Sequence, residues 1–196
     1  FLSRKKVVVP GVTGAIEDGL IPGLTCYSAG QACVGDMLDW FIQHTVPSQV
    51  REEAKRQGRN IHSLLEEQAA AQRPGECAVI ALDWWNGNRS VLGNAALSGL
   101  LAGLTMDTRP ADIYRALLDS IAFGHREIWE NFQQKGLRPR QIILCGGIAR
   151  KNRLLSQIIA DVLNCPVSIS EETQSTARGA AICAAASATS PTPSIA

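Results

Sequence analysis

The chain lacks an excess of either charge: 19 Lys and Arg stand against 18 Asp and Glu, a formal net charge of +1. A protein working on nucleic acid or anionic membrane carries a basic excess, so neither partner is expected. No apolar run reaches the roughly 18 residues that a membrane helix needs. Motifs of several enzyme classes are missing too. No G-x-G occurs, which removes the dinucleotide fingerprint, and G-x-S-x-G and H-E-x-x-H are absent. Gly30-Gln31-Ala32-Cys33-Val34-Gly35 has Walker spacing, but Asp36-Met37 stands where a P-loop needs Lys and Ser or Thr. The six cysteines form no C-x-x-C pair, and His44, His62 and His125 are scattered, so no zinc pattern and no metal site are expected. With apolar neighbours around most of them, the cysteines read as packed free thiols of a reducing cytoplasm, without disulfides. The start lacks an initiator Met and a signal-peptide layout, and residues 1–6 read as an internal start within a longer protein.

What is present is a chain with 45% hydrophobic residues and 19% charged ones, enough to bury a core and exclude disorder of the whole. Its 196 residues suit one domain. Residues 5–9 read as a strand, and glycines and prolines at 11–23 as a loop-rich stretch. Val34, Met37, Leu38, Phe41 and Ile42 recur at helical spacing and predict a helix over 30–44. Residues 49–72 predict one or two surface helices with Ile61, Leu64 and Leu65 on one face. Residues 77–82 predict a strand. A long helix is predicted over 110–134, with Pro110 at its start, Gly136 past its end, and Ile113, Leu117, Ile121, Ile128 and Phe132 as its buried stripe. Then follow a buried-type strand at 141–145, a Gly146-Gly147 turn, and a helix from 152 to 164 with Leu155, Ile158, Ile159 and Val162 inward. A strand at 167–169 and a small-residue helix at 176–188 complete the series. Residues 189–196 are expected to be a disordered tail. Strands alternating with helices at short spacing predict an α/β domain with parallel strands, in which ligands bind beyond the strands' carboxyl ends.

That rule points to Gly146-Gly147-Ile148-Ala149-Arg150-Lys151-Asn152. Glycines let a ligand approach the backbone, the helix that follows offers unpaired N–H groups and a positive dipole end, and Asn152 can both donate and accept. A plain tight turn between strand and helix accounts for the same residues. Gly179-Ala180-Ala181 would let the last helix pack closely beneath this loop. The 83–89 loop, Asp83-Trp84-Trp85-Asn86-Gly87-Asn88-Arg89, suits a sugar or nucleotide cleft. It equally suits a strand end buried on its tryptophans, with Arg89 paired to Asp83. His125, beside the apolar stripe, reads as a structural histidine.

Taken together, three segments resemble the carboxyl-terminal domain of the FGGY carbohydrate kinases, ribulokinases most closely: residues 81–90 (Ala-Leu-Asp-Trp-Trp-Asn-Gly-Asn-Arg-Ser), residues 99–105 with 112–119, and residues 145–152 (Cys-Gly-Gly-Ile-Ala-Arg-Lys-Asn). Ala29-Gly30-Gln31 with Gly35-Asp36 and Trp40-Phe41 adds to the likeness, whereas Leu117 falls where smaller or β-branched residues are usual. The resemblance implies an actin-like, ribonuclease-H-like ATPase fold, with residues 1–188 as the ATP-side domain of two. It implies transfer of the γ-phosphoryl group of ATP to a hydroxyl of a ketopentose such as ribulose, with Mg2+ held mainly through the ATP phosphates. The sugar-binding amino-terminal domain and the catalytic Asp would lie outside this chain. By the same resemblance Gly146, Gly147, Ile148 and Asn152 would face the nucleotide, while Ser28, Gly30, Gln31, Asp83, Trp84, Asn86 and Arg89 would lie on the substrate side. Ser28 departs from the pattern: ribulokinases carry Glu before Ala-Gly-Gln, and a hydroxyl has neither the charge nor the reach of a carboxylate. A kinase for xylulose, glycerol or a related polyol, or a non-catalytic actin-like nucleotide-binding module, fits the same glycine loop. The surface bared by the absent domain makes self-association, as a homodimer, an expectation.

Overall fold

A computed structural model of the chain describes residues 1–189. Residues 190–196, most of the tail expected to be disordered, lie outside the described residues.

The long helix forms where the sequence places it. Helix α4, as numbered in chain order, spans Pro110–Gln134, 25 residues with Pro at its first position. Its first turn is closed by Asp112, whose carboxylate accepts the backbone N–H of Arg109 at 2.7 Å. Its end is a Schellman turn. Gly136, at φ +72°, donates to Gln133 O at 2.9 Å, and Leu137 donates to Phe132 O at 3.1 Å. The positive φ is what requires glycine there.

The stripe of α4 is the centre of the core. Tyr114, Leu117, Leu118, Ile121 and Ala122 are each 0% exposed. Against it lean α1 (Gly35–His44) through Met37, Leu38 and Phe41, and α3 (Ile61–Ala70) through Leu65 and Ala69. The same cluster takes in α6 (Arg153–Leu163), through Leu155, Ile158 and Ile159, and Ala81 of β4 (Ile80–Leu82). The charged stretch after α1 is two helices, α2 (Ser48–Arg56) and α3. A second, smaller cluster joins Phe132 and Leu137 to Val9 and Tyr27, with Phe1 against it.

The strands are short and lie in three separate groups. β1 (Leu2–Ser3), β3 (Thr25–Ser28) and β2 (Gly14–Glu17) form an antiparallel sheet in the order β1-β3-β2. β4 pairs antiparallel with β5 (Leu100–Ala102). Among the described residues only the strands β6 (Ile142–Leu144) and β7 (Val167–Ile169) pair in parallel, so the expectation of parallel strands holds for this pair alone.

Residues 5–9 are not a strand. Their backbone is held instead by one side chain: the Tyr27 hydroxyl accepts from Val7 N at 2.9 Å and lies 3.0 Å from Lys5 O. The β2–β3 hairpin falls within and just after the stretch expected to be loop. Residues 30–34 stay outside α1, and β6 is half-exposed, with Ile143 59% accessible. The last helix, α7 (Ser175–Thr189), exposes every residue from 176 to 186. Nothing lies within 4 Å of the place where a Gly179 Cβ would stand, so the close packing expected there does not occur. Cys33 is buried, but Cys145 and Cys183 are exposed, which corrects the picture of thiols packed throughout.

Leu117 fills the middle of the core, so Leu117→Ala should cost about 2–5 kcal/mol and lower the melting midpoint by roughly 10 °C. Ile143→Ala, at a half-open position, should move it little; thermal denaturation followed by circular dichroism measures both.

Candidate functional site

The glycine loop follows β6. Gly146 sits at φ 92° and ψ 176°, a conformation that side chains other than hydrogen rarely tolerate. Gly147 opens a single helical turn, α5 (Gly147–Lys151), and a Cβ built on Gly147 would meet nothing within 4 Å. The space above this backbone is therefore open. Ile148 leans the other way: a Cβ on Gly35 would stand 2.9 Å from Ile148 Cδ1, so the start of α1 and the glycine loop touch.

The helix expected from 152 to 164 is present as α6, but the short α5 stands between it and the glycine turn. Asn152, extended at φ −118° and ψ 90°, breaks the chain between α5 and α6 and caps α6 by accepting Leu155 N at 2.8 Å. Leu154 N is taken by Glu66 Oε1 at 3.0 Å. These two N–H groups of α6 are thus satisfied from within, which withdraws them as phosphate holders. Asn152 itself is buried, and its Nδ2 donates to the Tyr114 hydroxyl at 3.2 Å.

A second group gathers at the far end of β4. Gln31 turns inward, and its Nε2 donates to Asp83 Oδ2 at 2.6 Å and to Ile121 O at 2.9 Å. Those two bonds use both amide hydrogens, while Gln31 Oε1 is buried without a partner. Gly124 makes room for the arrangement. A Cβ there would collide with Gln31 Nε2 and come within 2.6 Å of Asp83 Oδ2. Gly30 N donates to Ser90 Oγ at 3.3 Å, tying the same segment to the end of the 83–89 loop. Ser28 is exposed at the end of β3. Trp84 is half-buried, and Asn86 and Arg89 are exposed. Asp83 is bonded to Gln31 rather than to Arg89. Trp85 packs on Trp40, ring centroids 4.7 Å apart, and against Gly99. The loop therefore packs one tryptophan in a layer and turns Asn86 and Arg89 outward. His125 Nδ1 lies 2.8 Å from Ile121 O, a local structural contact.

Electrostatically this group is short of cations. Burial pushes the Asp83 carboxyl above its ordinary range, opposed by the Gln31 hydrogen bond and by nearby His125. Burial also raises Glu127, which Asn88 lowers by a hydrogen bond and Asp83 raises further. No set of three or more His, Cys, Asp or Glu side chains among the described residues could hold a metal ion. No helix among the described residues is long and apolar enough to cross a membrane.

Thus the structure joins Gly30, Gln31 and Asp83 in one cluster and puts Gly146, Gly147, Ile148 and Asn152 in another. The start of α1 touches the second through Ile148. Sequence reasoning missed Gly124, Ser90, Glu127 and Tyr114. A glycine inside a strongly periodic helix was the legible signal for Gly124; the other three carry none.

Residues 1–188 match the family described as the FGGY family of carbohydrate kinases, C-terminal domain. The chain belongs to this family. It is 47% identical over 188 residues to a ribulokinase of Halalkalibacterium halodurans, covering 96% of this chain and 33% of that protein. It is 48% identical over 180 residues to a ribulokinase of Mycolicibacterium smegmatis, covering 92% of this chain and 32% of that one. The chain therefore spans about a third of the length of these relatives. Among solved structures it resembles xylulose kinase from Rhodospirillum rubrum, with a TM-score of 0.77 at 23% identity over 98% of this chain and 36% of that one. It also resembles Plasmodium falciparum glycerol kinase with ADP, with a TM-score of 0.63 at 20% identity over 81% of this chain and 29% of that one. The fold is that of the actin-like ATPases, as the resemblance implied.

Because burial raises the Asp83 carboxyl, the native state holds its proton more tightly than the unfolded chain does. Asp83 then weighs against folding once ionised, and its contribution is lost as pH rises from about 4 through the raised value. Asp83→Asn keeps an acceptor for Gln31 and removes the charge. Its melting midpoint should fall less than the wild type's between pH 4 and 7, as a pH series of melts would show.

Proposed function

We propose that the full-length protein containing this chain is an ATP-dependent kinase that phosphorylates a hydroxyl of a ketopentose, ribulose first among them. Residues 1–188 are then its nucleotide-side domain. The observation that carries this reading is the loop after β6, where Gly146 holds a glycine conformation and the backbone of Gly147 faces open space. Nearly 50% identity with ribulokinases over almost the whole chain supports the substrate class.

A nucleotide fits this donor set. Gly146 and Gly147 let phosphate or ribose approach the main chain, Ile148 offers an apolar edge, and Asn152 fixes where the loop ends. ATP brings the γ-phosphoryl group and, on its phosphates, Mg2+, for which the described residues offer no cluster of their own. The contribution of these residues is to bind and orient, which supplies much of the acceleration in phosphoryl transfer. The base that takes the sugar proton belongs to the amino-terminal part. Ser28, Gly30, Gln31, Asp83, Trp84, Asn86 and Arg89 form the substrate-side wall, some by contact and some by holding others. The amino-terminal domain is the principal partner, a homodimer the assembly, and the cytoplasm the compartment. Ser28 keeps xylulose or another polyol as a second reading, since its exposed hydroxyl stands where ribulokinases carry Glu.

Gly147→Val tests the nucleotide assignment, because a Cβ added there has nothing within 4 Å beyond its own turn. The Michaelis constant for ATP should rise about tenfold or more, ~1.4 kcal/mol of binding, with the sugar constant within about twofold. An unchanged ATP constant in the folded variant overturns the assignment. Ser28→Glu should raise kcat/KM for L-ribulose relative to xylulose and glycerol, and flat preferences across that panel remove Ser28 from substrate choice.

A further inference from the structure

A chain of hydrogen bonds through one buried hydroxyl links α4, α3, α1 and the α5–α6 junction. Tyr114 of α4 is 0% exposed, and its oxygen lies 3.2 Å from Asn152 Nδ2 and 3.3 Å from His62 Nδ1. The other ring nitrogen of His62, on α3, lies 3.0 Å from Asp39 Oδ1 on α1. Asn152 in turn caps α6 through its Oδ1.

With His62 neutral, the carboxylate at one end and the amide at the other set one direction along this chain. An amide nitrogen only donates, so the Tyr114 oxygen accepts from Asn152. The Asp39 carboxylate only accepts, so His62 carries a hydrogen on Nε2 and donates it there. In that neutral ring Nδ1 is bare and takes the single phenol hydrogen. Burial, with Glu66 adding to it, pushes the Tyr114 phenol up, so that it remains a donor at neutral pH. An exposed carboxylate on α1 thus fixes, through two rings, the amide of the residue at which α5 breaks into α6.

We propose that Tyr114 is a positioning residue of the nucleotide loop, acting through Asn152, with His62 and Asp39 fixing the direction of its hydrogen bond. Asn152 is the pivot of that loop. Its backbone N–H closes α5 on Ile148 O at 2.8 Å, and Ser156 Oγ, which lies 3.3 Å from Asn152 O, donates to Ala149 O at 3.1 Å. Holding the amide therefore holds the angle at which Gly146 and Gly147 stand to α6. Tyr114, His62 and Asp39 lie outside the loop, and none needs to touch a ligand. The inference rests on residues 146–152 being the nucleotide site.

The test uses the full-length protein, with ADP titrated by calorimetry and ATP and sugar varied in a coupled assay. Tyr114→Phe removes the hydroxyl and keeps the ring. The ADP dissociation constant and the ATP Michaelis constant should each rise roughly fivefold, the sugar constant staying within about twofold. His62→Leu, at a half-exposed position, should move ADP affinity the same way and carries the reading alone if Tyr114→Phe does not fold. The double variant should be no worse than Tyr114→Phe, since both act on one chain of bonds. Lowered melting with unchanged ADP affinity would make Tyr114 a purely structural residue and overturn the proposal, as would an equal rise in the sugar constant. A wild type that binds ADP and phosphorylates no sugar overturns the kinase reading but leaves ADP affinity to judge Tyr114. A wild type that takes up no ADP overturns both.

Discussion

The burial of one face of α4 is the constraint on which the rest of the domain depends. Five of its residues are wholly withdrawn from water, and α1, α3, α6 and β4 are placed by what each presents to that face. Side chains of this size contribute about 1.5–3 kcal/mol each when fully buried, so the helix cannot shift without large loss. Interiors packed at this density do not deform gradually, and a polar group fixed to such a helix is fixed in the molecule.

How much of this was legible in the sequence follows from where each element draws its stability. α4 and α6 carry their own signals: Pro110, Asp112 and Gly136 for one, Asn152 and Asn164 for the other, with apolar periodicity between. The β2–β3 hairpin draws its stability from pairing across a loop, through short strands with few β-branched residues, so nothing local announces it. At residues 5–9 the error has one cause. Three valines in a row have strand propensity, but the ladder they would need is replaced by the hydroxyl of Tyr27, some twenty residues away. Propensity does not record a distant side chain.

The site divides in the same way. Gly146 was legible because its backbone conformation is one that glycine adopts without cost. Asn152 was legible as a residue and not as an actor, since the sequence offers its amide to a ligand while the fold commits it to α6 and to Tyr114. Gln31 is similar. The resemblance offers its amide to a cleft, yet its two hydrogens go to Asp83 and to a helix carbonyl. Side chains in such positions shape a site by what they hold, and only the partner's coordinates reveal that.

The polar groups buried against α4 make little sense as stabilisers. An Asp with an amide for its main partner and a Gln oxygen with no partner each weigh against folding. Their place along the helix gives them a use. Tyr114 ties α4 to the glycine loop, and Ile121 with Gly124 ties it to Gln31 and the 83–89 loop. From 114 to 124 the helix spans about 15 Å at its rise of roughly 1.5 Å per residue. A rigid rod with one loop tied at each mark fixes the distance between them, and the contact of Gly35 with Ile148 closes the figure from the other side. Under the proposed function two ligands must meet at a fixed separation, and that need would outweigh the last increment of stability; local breaches of packing rules belong at such places.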